Sequence, residues 1–172
     1  ADFNGSDSFV VQVSDGAMTD TITVNVTVSG VSDAPVITQG AGPLSVTMSE
    51  DGSPTVWSAP TLGATDVETA DSALVWSVSS AATSGTAIVS GTAAAPTTFT
   101  YAPNADFNGS DSFVVQVSDG ALTDTITVNV TVSGVNDVPV FISTEIGSAF
   151  TDSVYTYNIR ANDPDGNATL TI

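Results

Sequence analysis

The chain has 172 residues, 41% of them apolar, and carries 19 acidic side chains against a single basic one, Arg160, with no histidine and no cysteine; its net charge is −18. That balance excludes a phosphate-tracking surface, so no nucleic-acid partner is expected and anionic lipid is a poor candidate. No run approaches the ~18 apolar residues of a membrane-spanning helix, so no direct membrane insertion is expected, and disulfides play no part.

The first element met is half of a repeat. "ADFNGSDSFVVQVSDGAMTDTITVNVTVSGVSDAPV" at residues 1–36 returns at 105–140 with three changes: Met18 to Leu122, Ser32 to Asn136 and Ala34 to Val138. A period of 104 residues is the size of a whole domain that can bury its own core, not of a solenoid unit. In "TITVNVTV" Ile22, Val24, Val26 and Val28 alternate with Thr21, Thr23, Asn25 and Thr27, the pattern of a strand with one wet face. No helical spacing competes with it.

Between Pro35 and Val135 seven strands are predicted. They are A over Val36–Met48, broken near Gly40–Pro43, B over Thr55–Ser58, C over Ala73–Ser79 and D over Thr86–Val89. E over Thr97–Tyr101, F over Ser112–Ser118 and G over Thr123–Ser133 complete the set. The turn signals "EDG", "TSG", "APNADFNG" and "SDG" separate them. Seven short strands in about 100 residues indicate an all-β, antiparallel, Greek-key sandwich of immunoglobulin-like or cadherin-like type, with Trp76, Phe99, Tyr101 and Phe113 as its large core groups. Residues 1–34 then hold the E–F corner and strands F and G of a first repeat, 35–137 one complete repeat, and 138–172 strands A, B and the start of C of a third, diverged repeat. On this reading the chain is a window on a longer array.

The acids follow the topology. Sixteen of the 19 are Asp, a turn former and a hard oxygen ligand. If strands A to G alternate down and up, Glu50 (A–B loop), Asp106 and Asp111 (E–F loop) and Asn136–Asp137 (outgoing linker) lie at the bottom of the complete repeat. Asp163 and Asp165, from "ANDPDG", lie at the top of the next. At the preceding junction Asp2, Asp7 and Asp33 face Asp66, Glu68 and Asp119. Carboxylates gathered this way repel unless a cation neutralises them, and an all-oxygen site without His or Cys selects Ca2+.

"VNDVPV" at the repeat boundary, "ATDVE" and "ANDPDG" after strand B, and "FNGSDSFVVQVSDG" into strand G together resemble the cadherin-like and immunoglobulin-like tandem repeats of large bacterial (RTX-type) surface adhesins. The resemblance covers essentially the whole chain. It implies an extracellular or cell-surface location and calcium ions shared across the linkers, carried here by Asn136, Asp137, Asp163 and Asp165. It further implies a structural extender that supports adhesion or biofilm formation, with neighbouring repeats of the same chain as partners. The chain departs from the cadherin pattern at Ser32, where Asn is expected, and at Asp66-Val67-Glu68, where Asp-x-Asp is expected. The E–F base also differs, reading "ADFNGSD".

Two other readings stand beside it. Exposed strands of the partial repeats could complement other copies in a filament. Alternatively, an exposed Trp57 in "VWSAP" could mark a carbohydrate- or receptor-binding module. No catalysis is expected, since His, Cys and Lys are absent and a narrow sandwich has no obvious cleft. "DPDGN" lacks the downstream glutamate of an EF-hand loop, and the five N-x-S/T sequons are common in Ser/Thr-rich text.

Overall fold

The computed structural model describes residues 3–144 and 147–166. Asp2, Asn167 and the start of strand C of the third repeat therefore lie outside the described residues. Alternation is expressed as strand wherever two apolar rows can be laid side by side. β1 (Gly5–Ser14) and β2 (Thr19–Val28) form an antiparallel hairpin. Then come β3 (Val36–Ile37), β4 (Leu44–Ser49), β5 (Ala64–Thr65), β6 (Val75–Ser80), β7 (Gly85–Thr92) and β8 (Thr98–Pro103). β9 (Gly109–Ser118) and β10 (Thr123–Ser133) repeat the hairpin, and β11 (Val140–Phe141) and β12 (Ala161–Asn162) close the series. No α-helix occurs among the described residues.

Six strands join in the order β4-β10-β9-β6-β7-β8, with β4 parallel to β10 and the other neighbours antiparallel. The ribbon is thin at one place: β6 and β7 pair only at Val75 with Thr92 and Trp76 with Gly91. There it folds over. Phe99 and Tyr101 of β8 lie across from β9 rather than beside it, with the Tyr101 and Phe113 rings stacked at 5.9 Å and Phe99 edge-on to Phe113 at 6.2 Å. Gly91 sits at the fold with φ of +131°, where a Cβ would meet Thr97 Oγ1 at 2.5 Å. The result is an all-β, immunoglobulin-like and cadherin-like sandwich. Its core is Phe113, Val115 and Val117 of β9 and Ile126, Val128, Val130 and Val132 of β10, met by Trp76, Val89, Tyr101 and Met48.

Strand B departs from expectation. Residues 55–58 form no strand; the second short strand falls instead at Ala64–Thr65, where it pairs with β3. Pro54 and Pro60 remove ladder donors on either side of "TVWSA". The segment is held by its tryptophan: Trp57 Nε1–H donates to the Phe99 carbonyl at 3.3 Å, and its ring packs on Phe99 and Tyr101. Trp57 is therefore a core group rather than a displayed aromatic. The expected break in strand A occurs between Ile37 and Leu44. The β11–β12 pair repeats β3–β5 closely, for Ile142 N–H bonds the Arg160 carbonyl as Thr38 N–H bonds that of Gly63, both at 2.9 Å.

Burial separates the twin hairpins. Phe113 is 1% exposed and its counterpart Phe9 55%; Ile126 is 2% exposed and Ile22 66%. β9–β10 has a second layer over it, whereas among the described residues nothing covers the apolar face of β1–β2. Phe113→Ala should therefore cost about 3–5 kcal/mol in urea unfolding, while Phe9→Ala should stay within about 0.5 kcal/mol. Equal effects would contradict this assignment of the core.

Candidate metal centre

The end of the six-stranded sandwich where β4 and β10 finish is built by three segments. Residues 49–55 close a loop after β4, with Ser49 N–H bonded to the Thr55 carbonyl at 2.8 Å and Thr55 N–H to Ser49 Oγ at 3.2 Å. This loop carries Glu50 and Asp51. Beyond β10 the linker runs past it: Glu50 N–H bonds the Ser133 carbonyl at 3.1 Å, and Val135 N–H returns a bond to Glu50 Oε1. The third segment is the turn after β12. There Asp163 Oδ1 accepts Asp165 N–H at 3.0 Å, and Asp165 Oδ2 accepts Asp137 N–H at 2.7 Å across the boundary.

These contacts bring Glu50, Asp137 and Asp165 together, with one carboxylate oxygen from each within 4.8 Å of the others. Among the described residues this is the one group of three that converges so tightly. Glu50 Oε2 is buried there without a hydrogen-bond partner among the described groups. Desolvation, and then the charges of Asp51, Asp106, Asp165 and Glu50, raise the Asp137 carboxyl above its ordinary value. The folded state thus holds that proton more tightly than the unfolded chain does. The penalty is complete above the raised value and is relieved on acidification. A buried orphan acceptor amid like charges and hard oxygen donors fits a calcium-sized cation.

Of the other residues expected here, Asp106 contributes through its charge on Asp137. Asp163 shapes the turn that presents Asp165. Asn136 donates its side-chain N–H to the Asp137 carbonyl at 3.2 Å. Asp51 was not singled out from the sequence, although its place beside Glu50 in "SEDG" was a signal that could have found it.

Asp111 serves elsewhere. It is 6% exposed, and its two oxygens accept Thr83 N–H and O–H, Ser84 N–H, Ser112 N–H and the Tyr101 hydroxyl, at 2.8–3.0 Å. Burial pushes this carboxyl up, but the bonds from Thr83, Tyr101, Ser112 and Ser84 outweigh it and hold the pKa below the ordinary value. Burial first, then the bond and charge of Asp111, drive the Tyr101 phenol well above its usual range. Asp111 therefore pins the β6–β7 loop and β8 to β9.

The upper junction repeats the lower in part. Asp33 N–H donates to Glu68 Oε2 at 3.0 Å, the equivalent of Asp137 to Asp165. Asp66 Oδ1 accepts Glu68 N–H at 2.9 Å and Thr69 N–H at 2.6 Å, and Asp66 Oδ2 is buried without a partner among the described groups. Ser32, in place of Asn136, turns its hydroxyl to Asp119 Oδ2 at 3.4 Å. Asp7 bonds only its neighbour's N–H among the bonds described.

Comparisons with known proteins agree with the architecture. A family model described as "Bacterial Ig domain" matches residues 32–131. The solved structure of protocadherin gamma B2 extracellular cadherin domains 1–5 is 20% identical, with 93% of this chain and 32% of that one covered, at a TM-score of 0.52. An endo-fucoidan hydrolase of glycoside hydrolase family 107 is 23% identical over 77% of this chain and 19% of that one, at 0.40. At 20% identity the likeness to the protocadherin domains speaks to fold alone, and this chain spans about a third or less of either structure. No curated protein matches.

The depressed Asp111 carboxyl contributes stability that is present above its unfolded value, about 3.9, and lost as pH falls through the lower folded value. Asp111→Ala should cost about 1–3 kcal/mol at neutral pH by stranding buried donors. In urea unfolding from pH ~6 to ~2 the variant should lose less stability than the parent; parallel pH profiles would contradict this role.

Proposed function

The chain belongs to the bacterial Ig domain family, and from that premise we propose that it is an extender segment of an extracellular or surface-anchored adhesin-type protein, stiffened by calcium between its repeats. Bacterial Ig domains are typically extracellular or surface-exposed, and no described helix is long and apolar enough to cross a membrane.

The observation that carries the calcium reading is the convergence of Glu50, Asp137 and Asp165, drawn from two successive units, around the orphaned Glu50 Oε2. These three would hold the ion. Asp51 and Asp106 would add negative field. Without a cation the charges push the two units apart; with one, the same charges tie the A–B loop, the linker and the next unit's turn together. A hinge becomes a strut. A row of such struts holds whatever the parent protein carries at a distance from the cell, and supports adhesion or biofilm formation. This role is mechanical and needs no catalytic group.

Free calcium at about 100 times Kd should stabilise the folded chain by about 2.7 kcal/mol, seen as a rise in melting midpoint of several degrees. Glu50→Gln combined with Asp165→Asn should abolish that rise, and in chelator should melt no lower than the parent because repulsion is relieved. A midpoint indifferent to millimolar calcium would overturn the proposal.

A further inference from the structure

β4 and β10 run parallel, with six residue pairs in unbroken register from Leu44 with Val128 to Ser49 with Ser133. β4 stands at the edge of the six-stranded order, next to β10, while β10 is also held by ten pairs to β9. The chain comes into β4 at Leu44 and leaves β10 at Ser133, so it enters the parallel pair at one end and leaves it at the other. The entry lies beside the start of β10, since Ile37 N–H bonds Asp124 Oδ2 at 2.8 Å. About 30 Å of β10, at ~3.3 Å per residue, separates that point from the exit.

Tension applied through the two ends of residues 35–137 therefore draws β4 and β10 past each other along a common axis. The evenly spaced bonds of a parallel ladder are then strained together, in shear, rather than opened singly from one end. β3, met before β4, offers two pairs to β5 and so a shorter hold. Past the ladder, Glu50 extends the grip. Its N–H bonds the Ser133 carbonyl and its Oε1 accepts Val135 N–H, so the residue that follows β4 holds both the end of β10 and the outgoing linker. We infer that β4–β10 is the mechanical clamp of the complete repeat and that Glu50 is its latch, holding the exit strand through Oε1 while Oε2 faces the candidate ion.

The inference rests on the extender reading, which sets the two ends through which tension arrives. It also separates mechanical resistance from overall stability. Forced unfolding is governed by the rate at which the first barrier is crossed, not by the equilibrium stability of the whole. Core contacts of β7 and β8 that are still made when β4 slips along β10 add to stability without adding to that barrier. Resistance therefore resides in Leu44–Glu50 and Val128–Val135, a small part of the repeat.

The chain has no cysteine, so two introduced thiols serve as the sole anchors for single-molecule pulling of the full chain. The measurement is made in chelator, where the calcium reading plays no part. Ser45→Cys with Val138→Cys strains β4–β10 in shear, whereas Ser45→Cys with Asn129→Cys, facing partners in the register, peels β4 from β10. All three side chains are exposed. At one loading rate the shear geometry should rupture at a force several-fold above the peeling geometry. In shear, Glu50→Ala should lower the force, and Glu50→Gln, which keeps the acceptor, should return it close to the parent. Val89→Ala, in the buried part of β7, should lower the urea midpoint more than Glu50→Ala yet leave the shear force near the parent's. Equal forces in the two geometries, no effect of Glu50→Ala, or forces that follow the urea midpoint rather than the place of the substitution would overturn the inference. Each of those results would leave the calcium-dependent melt, which tests the extender reading, as it stands.

Discussion

The apolar row that Phe113, Val115 and Val117 share with Ile126, Val128 and Val130 must be covered on one side, and most of residues 35–137 is arranged to cover it. A two-stranded hairpin is marginal in water by itself. What turns this one into a core is the fold-over at Trp76 and Gly91, which lays β7 and β8 across it. The Tyr101 ring then stacks on Phe113 while its hydroxyl reaches Asp111, so one side chain serves both packing and the polar anchor. Asp111 lies in the same inward-facing row as Phe113, two residues before it, and is tolerated there because every lone pair has a donor to meet.

Charge governs the ends of the sandwich as burial governs its middle. Nineteen acids with one base leave almost no ion pairing to offset repulsion. The chain uses its carboxylates instead as acceptors for backbone N–H groups: Glu50 for Val135, Asp165 for Asp137, Glu68 for Asp33. Each such bond crosses from one segment to another at a repeat boundary. Acids that would otherwise only repel thereby set the path of the linkers, and they leave one oxygen at each boundary, on Glu50 and on Asp66, without a partner among the described residues.

Much of this was legible beforehand. Strand G was expected over Thr123–Ser133 and forms over those residues, because strict alternation and β-branched content agree there. The break in strand A was visible at Gly40–Pro43, where turn residues interrupt the pattern. Strand B was misplaced because "TVWSA" has strand-like residues, yet its prolines and the Trp57 anchor favour a course without ladder bonds. For the site, spacing and topology drew attention to Glu50, Asp137 and Asp165. They could not tell them from Asp111, which stands in equally polar text.

The sequence by itself determined the all-β class, the period, the strand faces and the gathering of acids at loops and linkers, since these depend on residues one or two positions apart. Only the tertiary structure decided which carboxylates meet donors from distant segments. It alone turned Asp111 inward and left Glu50 Oε2 without a partner among the described residues. Those outcomes rest on partners such as Thr83, Tyr101 and Val135, brought from elsewhere in the chain by folding. The local text of Asp7 and Asp111 is the same, and only the groups that folding sets around them differ.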